Sequence, residues 1–287
     1  MTRVTQQTAR IVFFLSAAVS AMAAALVFGF LLVFGFPLIG GGEFFSLLAR
    51  PWSPGQGLYG FLPMITGTAA ISFLSIVFAL PLSLGTVCFM GGLGPARISR
   101  LVDGFVRFMT GIPTVIYGFL GIFLLVPVVR TLFTSAGSGM CILSASLMLS
   151  LLVSPTMILF FKDGFDSVDV RYIQAADALG ADSVQRLIYV ILPEAWPGIV
   201  TGIIMGLGRA MGDTLIALMI AGNAVHVPGS ILDSARTLTS HIALVSASDY
   251  DSLAFKSIFA CGLTLYVLNA FAVIAVRKLG GKRGQAR

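Results

Sequence analysis

The stretch Gly198-Ile-Val-Thr-Gly-Ile-Ile-Met-Gly-Leu-Gly-Arg-Ala-Met-Gly-Asp-Thr-Leu-Ile-Ala-Leu-Met-Ile-Ala-Gly-Asn223 decides how this chain is read. It is long enough to cross a bilayer, because a spanning helix needs about 20 apolar residues. Near its middle it carries Arg209 and Asp213. Each charge at the centre of an inserted helix costs about 2.5 to 3.5 kcal/mol. A helix that keeps two of them needs a surrounding bundle that receives them, and an intramembrane charge is by default a functional one.

Placed on a helix, Gly198, Gly202, Gly206, Ala210 and Thr214 recur at i+4 and form a stripe of small residues. Such stripes let membrane helices approach backbone to backbone without any hydrophobic driving force. Arg209 and Asp213 lie beside the stripe, so they are expected to face a tight helix interface or the bundle interior. Two roles stay open for them. They form a buried i, i+4 ion pair that fixes helix register, or Arg209 lines an anion pathway and Asp213 holds or releases it as a gate moves. The planar donor fork of arginine suits a tetrahedral oxyanion. Thr214 and Asn223 can hydrogen-bond a permeating anion or a neighbouring helix.

The remaining sequence has the same character. The chain has 287 residues, of which 57% are hydrophobic and only 10% charged, with a mean hydropathy of +0.98. A soluble domain carries about a quarter of its residues charged, so a soluble globular class is excluded. Six apolar spans are expected, at 11–36, 61–90, 108–133, 140–161, 198–223 and 253–276, which makes an all-α polytopic membrane protein. The first run is longer than the core of a signal peptide and is read as an uncleaved span. Pro81 inside the second span predicts a kink.

Between the spans, residues 37–60 form a Gly- and Pro-rich loop in which Trp52 and Tyr59 suit the membrane interface. Residues 91–107 form a short basic loop and 224–252 a polar one. His226 and His241 fall in the latter and are expected to be solvated. Cys88, Cys141 and Cys261 are far apart, with no ligand cluster around them, so no metal site is expected.

Six spans place both termini on one side. If that side is the cytoplasm, Arg3, Arg10, Arg97, Arg100, Arg107, Lys162, Arg171, Arg186, Arg277, Lys278, Lys282, Arg283 and Arg287 fall inside, thirteen of the eighteen Lys and Arg. Only Arg50, Arg130 and Arg236 fall in external loops. The positive-inside rule therefore favours cytoplasmic termini. The formal charge of +6 orients the protein and does not mark a nucleic-acid surface, since no basic face laced with aromatics is present.

Residues 162–194 are polar yet patterned. Asp166 is a candidate N-cap for a helix running to Leu179, with Gly180 ending it in the left-handed conformation. Asp182 and Gln185 form a capping box, and Val184, Leu187, Ile188 and Ile191 give the second helix an apolar face. Ala175 and Ala176 offer a small-residue patch for another surface. From the pattern alone, a docking element and an ordinary amphipathic loop on the membrane are both open.

Ile173-Gln-Ala-Ala-Asp-Ala-Leu-Gly180, followed by Ile191-Leu-Pro193, resembles the EAA loop of type I ABC importer permeases. That family has a glutamate where Gln174 stands and one more residue between its isoleucine and the Leu-Pro pair. Gly111-Ile-Pro-Thr-Val-Ile-Tyr-Gly-Phe119, Gly208-Arg-Ala-Met-Gly-Asp-Thr214 and Ala221-Gly-Asn223 resemble segments of the phosphate permeases. The stretch Arg236-Thr-Leu-Thr-Ser-His-Ile-Ala243 is more similar to their C-type than to their A-type subunit.

The resemblance implies the type I permease fold, with a core at 61–276 that contains the coupling loop 162–194. Residues 1–60 precede it as tail, first span and external loop, and 277–287 follow as a basic tail. It implies a non-enzymatic subunit for phosphate import in a bacterial cytoplasmic membrane. Its partners would be a second, A-type permease chain, two ATPase subunits and an external phosphate-binding protein. Gln174, Ala175, Ala176, Gly180, Leu192 and Pro193 would form the surface that couples to the ATPase. In the phosphate family the residues matching Arg209 and Asp213 are associated with transport, a glutamate standing where Asp213 does. The chain has no Gly-x-x-x-x-Gly-Lys-Ser/Thr loop, so ATP and Mg would bind the partner and no cofactor is expected here. The rivals are a permease for molybdate or sulfate, and a membrane sensor of phosphate status. An intramembrane aspartyl protease would need two facing aspartates, and Asp213 is the single one within the expected spans.

Overall fold

A computed structural model describes residues 3–40, 50–248 and 252–284, with side chains at 7–35, 50–248 and 252–278. The expected loop residues 41–49, Glu43 among them, and the tail residues 285–287 lie outside that range. The described residues are mostly helical; a hairpin of two-residue strands pairs β1 (Trp52–Ser53) antiparallel with β2 (Leu58–Tyr59), and residues 221–237 run as a non-helical connection with a parallel bridge between Gly222 and Ala235.

Five helices are long and apolar enough to cross a membrane: Gln7–Gly35, Leu62–Leu93, Thr114–Leu132, Ile142–Asp166 and Leu253–Lys278. A bent pair, Ser183–Glu194 and Trp196–Gly212, crossing at 66°, supplies a sixth. In chain order these lie in α1 (Arg3–Gly40), α2 (Leu62–Cys88), α4 and α5 (Thr114–Leu120 and Val126–Leu132), α6 (Ile142–Asp166), α10 (Trp196–Gly212) and α13 (Leu253–Gly284). α6 is the centre. It packs on α2 and α10, and Met148, Leu149, Leu152, Val153, Met157 and Phe161 on it are buried in the main core. Hydrogen bonds from Ser83 to the Ser154 carbonyl (3.3 Å) and from Ser146 to the Ile71 carbonyl (3.3 Å) draw α2 and α6 together. These are small polar residues placed where helices meet, as expected when apolar burial gives no preference between lipid and protein.

The small-residue stripe behaves as its spacing predicts. A Cβ at Gly198 would lie 2.5 Å from Gly164 Cα, and one at Gly202 or Gly206 would run into Phe161 or Met157. α10 and α6 therefore approach to backbone contact at their common end.

Several expected boundaries shift. The basic loop at 91–107 is mostly helix: α3 (Ala96–Thr110) follows a π-helical turn at Phe89–Leu93. The third span accordingly begins at Thr114, after Gly111-Ile-Pro113, rather than at Phe108. α3 has its polar and apolar residues on separate faces, a pattern easily passed over when a segment is classed by its charge. The loop at 224–252 contains α12 (Leu238–Val245), whose Leu238, Thr239, Ser240 and His241 are buried. A serine and threonine run reads as polar loop in sequence. Here it is a capping box, in which Thr237 Oγ1 accepts from the Ser240 N–H at 3.1 Å.

On the side of α6 where Lys162 lies, α7 (Val170–Ala178) is capped by Asp169, whose carboxylate accepts from the Arg171 N–H at 2.9 Å. Asp166, the expected cap, is instead the last residue of α6, because the span continues past Phe161. Gly180 has φ of +80°, and the Asp182–Gln185 capping box opens α8 (Ser183–Arg186). Of the expected apolar face, Leu187 and Ile191 are buried and Val184 and Ile188 exposed. A π-helical turn at Leu187–Ile191 rotates the register between them before α9 (Leu192–Glu194).

Candidate functional site

The fifth expected span, 198–223, is broken. α10 ends at Gly212, Asp213 is extended (φ −71°, ψ 133°), and α11 (Leu215–Ile220) begins after Thr214. The continuous helix expected over 198–223 is therefore two pieces. A break inside a membrane survives only if its freed backbone groups find partners, and here they do. The Asp213 carboxylate accepts from the Ile216 N–H at 2.9 Å, and its carbonyl accepts from Thr239 Oγ1 at 2.7 Å. Asp213 is a cap that starts α11, and α12 braces the break from outside.

This overturns the i, i+4 pair. With Asp213 turned onto α11, Arg209 and Asp213 form no ion pair. Arg209 Nη1 donates instead to Thr156 Oγ1 on α6 at 2.5 Å, and Arg209 remains half-buried. Asp213 is 9% exposed. Among the described residues no carboxylate makes a direct ion pair with the guanidinium, and Asp213 feels its charge only through space. The charge of Arg209 also reaches Tyr117 on α4, whose hydroxyl donates to the Met109 carbonyl at 3.2 Å. α4 and α11 meet closely, since a Cβ at Gly118 would lie 2.6 Å from Met219 Sδ.

Thr214 is half-buried at the break. Asn223 takes a left-handed conformation (φ 57°), and its Nδ2 donates to the Leu218 carbonyl at 2.6 Å, closing α11. Asn223 thus has a local helix-ending task and stands apart from Arg209. Two partners of the site were not singled out in the sequence, Thr156 and Thr239. Each is one threonine in an apolar or serine-rich run, with no spacing to tie it to residues 53 or 26 positions away.

The second expected site is the α7–α8 surface. Gln174 and Ala175 are exposed, Ala176 half-buried, and Gly180 exposed, while Leu192 and Pro193 are half-buried where the chain turns into α10. Arg186 Nη1 donates to Asp177 Oδ1 at 3.0 Å and clasps α8 to α7. Val170, Tyr172 and Leu179 are 59%, 54% and 89% exposed, so this protrusion offers apolar side chains that nothing among the described residues covers.

At the opposite end, His241 is fully buried, which corrects its expected solvation; His226 is exposed. The His241 ring meets Trp52 edge-on at 4.3 Å, and Arg236 Nη1 lies 3.5 Å from His241 Nδ1. Burial, and then the Arg236 charge, lower its pKa from 6.5 to about 4. His241 is thus neutral in the folded protein, whereas it gains a proton below about 6.5 when unfolded. Its contribution is complete above that pH and is lost as pH falls toward about 4. We expect thermal stability to drop between about pH 7.5 and about pH 4.5, and His241→Gln to flatten part of that drop. A melting series whose slope is unchanged in the variant contradicts this assignment.

Six candidate spans, a broken helix carrying an arginine with no direct ion pair, and a protruding helix after α6 describe a polytopic membrane protein with a charge inside its bundle. Residues 88–283 match the family of binding-protein-dependent transport system inner membrane components, and the chain belongs to that family. It is a multi-pass protein of the cytoplasmic membrane and a transport subunit. It is 32% identical over 240 residues to the probable ABC transporter permease YqgH of Bacillus subtilis (strain 168), covering 83% of this chain and 77% of the relative. To the phosphate transport permease PstC of Pasteurella multocida (strain Pm70) it is 29% identical over 254 residues, covering 82% and 79%. In fold it is similar to a solved methionine ABC transporter (TM-score 0.57, 21% identity, 75% and 93% covered). A bacterial transporter for alginate import gives a TM-score of 0.59 at 14% identity, with both chains fully covered.

Proposed function

We propose that this chain is the C-type permease subunit of an ATP-driven importer of inorganic phosphate, and that Arg209 is the cation its anion meets inside the membrane. The observation that carries the proposal is a cation without a direct ion pair: Arg209 bonds Thr156 beside a helix break, while the Asp213 carboxylate caps α11 and reaches Arg209 only through space. A phosphate oxyanion supplies a direct anionic partner, and the guanidinium fork can bind it through two donors. Thr214, at the same break, offers a hydroxyl. Asn223 takes part by ending α11. The names of the relatives, PstC among them, support phosphate as the substrate.

In this proposal both termini and the α7–α8 surface face the cytoplasm, where two ATPase subunits hydrolyse ATP with Mg. An external binding protein delivers phosphate at the opposite face, and an A-type permease completes a heterodimer. The core at 61–276 carries all of these contacts, and the flanking 1–60 and 277–287 are accessory. Motion of α7 reaches Arg209 through Leu192, Pro193 and the start of α10.

Cysteines placed at Gln174, Ala175 or Gly180 are expected to cross-link to the ATPase subunit in the assembled importer. The absence of a cross-link at every one of these positions contradicts the docking role. The substrate is tested by uptake into vesicles holding the purified complex. Phosphate is expected to be taken up and to stimulate ATP hydrolysis, with molybdate and sulfate as poor competitors. Preferential uptake of either rival anion overturns the assignment, and ATP-independent signalling without uptake identifies a sensor.

A further inference from the structure

α3 (Ala96–Thr110) has three sectors rather than two. Ser99, Val102, Asp103 and Val106 turn toward the bundle, with Val106 buried in the main core. Ile98, Leu101, Phe105 and Phe108 form a second flank and are 48%, 75%, 60% and 68% exposed. Arg97, Arg100 and Arg107 form the third. At 3.6 residues per turn the apolar and basic flanks lie side by side on the outer surface of the helix.

The position of the helix is fixed. It joins the end of one span at Leu93 to the start of another at Thr114 through short Gly/Pro links. Asp103 bonds Lys162, near the end of the α6 span, at 2.7 Å and Arg107 at 3.0 Å. Those two cations hold the Asp103 carboxyl below its ordinary range. α3 therefore runs along the border of the membrane on the face that carries α7. The apolar flank continues into the exposed Val115, Ile116 and Phe119 of the next span.

We infer that α3 is an interfacial lipid-binding helix, with Ile98, Leu101, Phe105 and Phe108 in the acyl region and Arg97 and Arg100 on anionic phospholipid headgroups. Arg107 is engaged by Asp103. Among the described residues Arg97 and Arg100 pair with no carboxylate, and Arg100 Nε donates to the Ala96 carbonyl at 3.3 Å. An arginine edge beside an aromatic and aliphatic flank matches a bilayer interface, where apolar side chains enter the boundary and cations meet phosphate. A second protein would meet an apolar flank and a bare guanidinium row at once and would need acids to match both arginines.

The test uses the complete importer in nanodiscs and does not depend on which anion is carried. Phe105→Trp places an indole on the apolar flank, and the difference from the parent spectrum isolates it from Trp52 and Trp196. Acyl-brominated lipid is expected to quench about half of that added emission, given burial of about 5 to 10 Å into the interface. At low mole fraction in phosphatidylcholine, brominated phosphatidylglycerol is expected to quench with about fivefold higher apparent affinity than brominated phosphatidylcholine. Arg97→Gln with Arg100→Gln should erase that preference and leave the quenching itself. No quenching of the added indole, repeated with Leu101→Trp, shows a protein on this flank and overturns the proposal. Equal quenching by both headgroups in the unsubstituted arginine background overturns the headgroup assignment.

Discussion

Replacing Gly198 with leucine is expected to abolish accumulation of the folded chain. A Cβ at that position lies 2.5 Å from Gly164 Cα and 3.1 Å from Gly164 N, so the obstacle is backbone and cannot swing aside. Inserting atoms into a packed core costs about 1 to 3 kcal/mol where side chains can adjust. Here the helices themselves must separate, and the cost should exceed the upper end of that range. The same separation would pull Gly202 off Phe161 and Gly206 off Met157, because one stripe sets the whole α10–α6 contact. Gly212→Ala is the control, since nothing lies within 4 Å of a Cβ there. The measurement is the yield of monodisperse complex after membrane extraction. A normal yield for Gly198→Leu contradicts the packing account.

The second large effect is on transport. Arg209→Gln is expected to lower uptake by at least about tenfold while the complex still assembles. A hydrogen bond to a charged group is worth about 1.5 to 3 kcal/mol. Removing the guanidinium leaves an entering oxyanion with no compensating charge at the break. Assembly should survive because the stripe, rather than Arg209, carries the α10–α6 contact. Arg209→Lys keeps the charge and loses the planar fork, so it should fall between the two.

Much of this was legible before any coordinates, for physical reasons that can be named. The spans follow from composition, and the stripe from spacing, because close helix packing in lipid demands small residues at a fixed interval. Gly180 and the Asp182–Gln185 box were readable because caps are local and their partners lie within one turn. The break at Asp213 was not. Leu215–Ile220 has the composition of a continuing helix, and the carboxylate that stops α10 is one that i, i+4 spacing assigns to Arg209. What decides between the two is Thr239, which takes the Asp213 carbonyl from 26 residues further on. The burial of His241 was hidden for the same reason: Trp52 and Arg236 reach it from two separate segments. The Asp182–Gln185 box and Gly180 were read correctly, whereas the cap expected at Asp166 fell inside α6 and the contacts made across the bundle escaped.

The break also changes what the charged pair does. In a continuous helix Arg209 and Asp213 would cancel, and a pathway role would first require their separation. In the observed arrangement the carboxylate accepts from the Ile216 N–H, and the guanidinium bonds the neutral Thr156 and meets Asp213 only through space. A helix held by its own cap and by Thr239 gives a fixed charge beside a point of low helical continuity.

The most direct test of that account compares Arg209→Gln with Thr156→Val in vesicles containing the purified, assembled complex, with phosphate uptake as the readout. If Arg209 serves the anion, Arg209→Gln loses uptake while Thr156→Val, which removes only the tether, keeps most of it. If the two variants lose uptake equally, or if Arg209→Gln transports near normally, Arg209 is a helix lock and the pathway role is wrong.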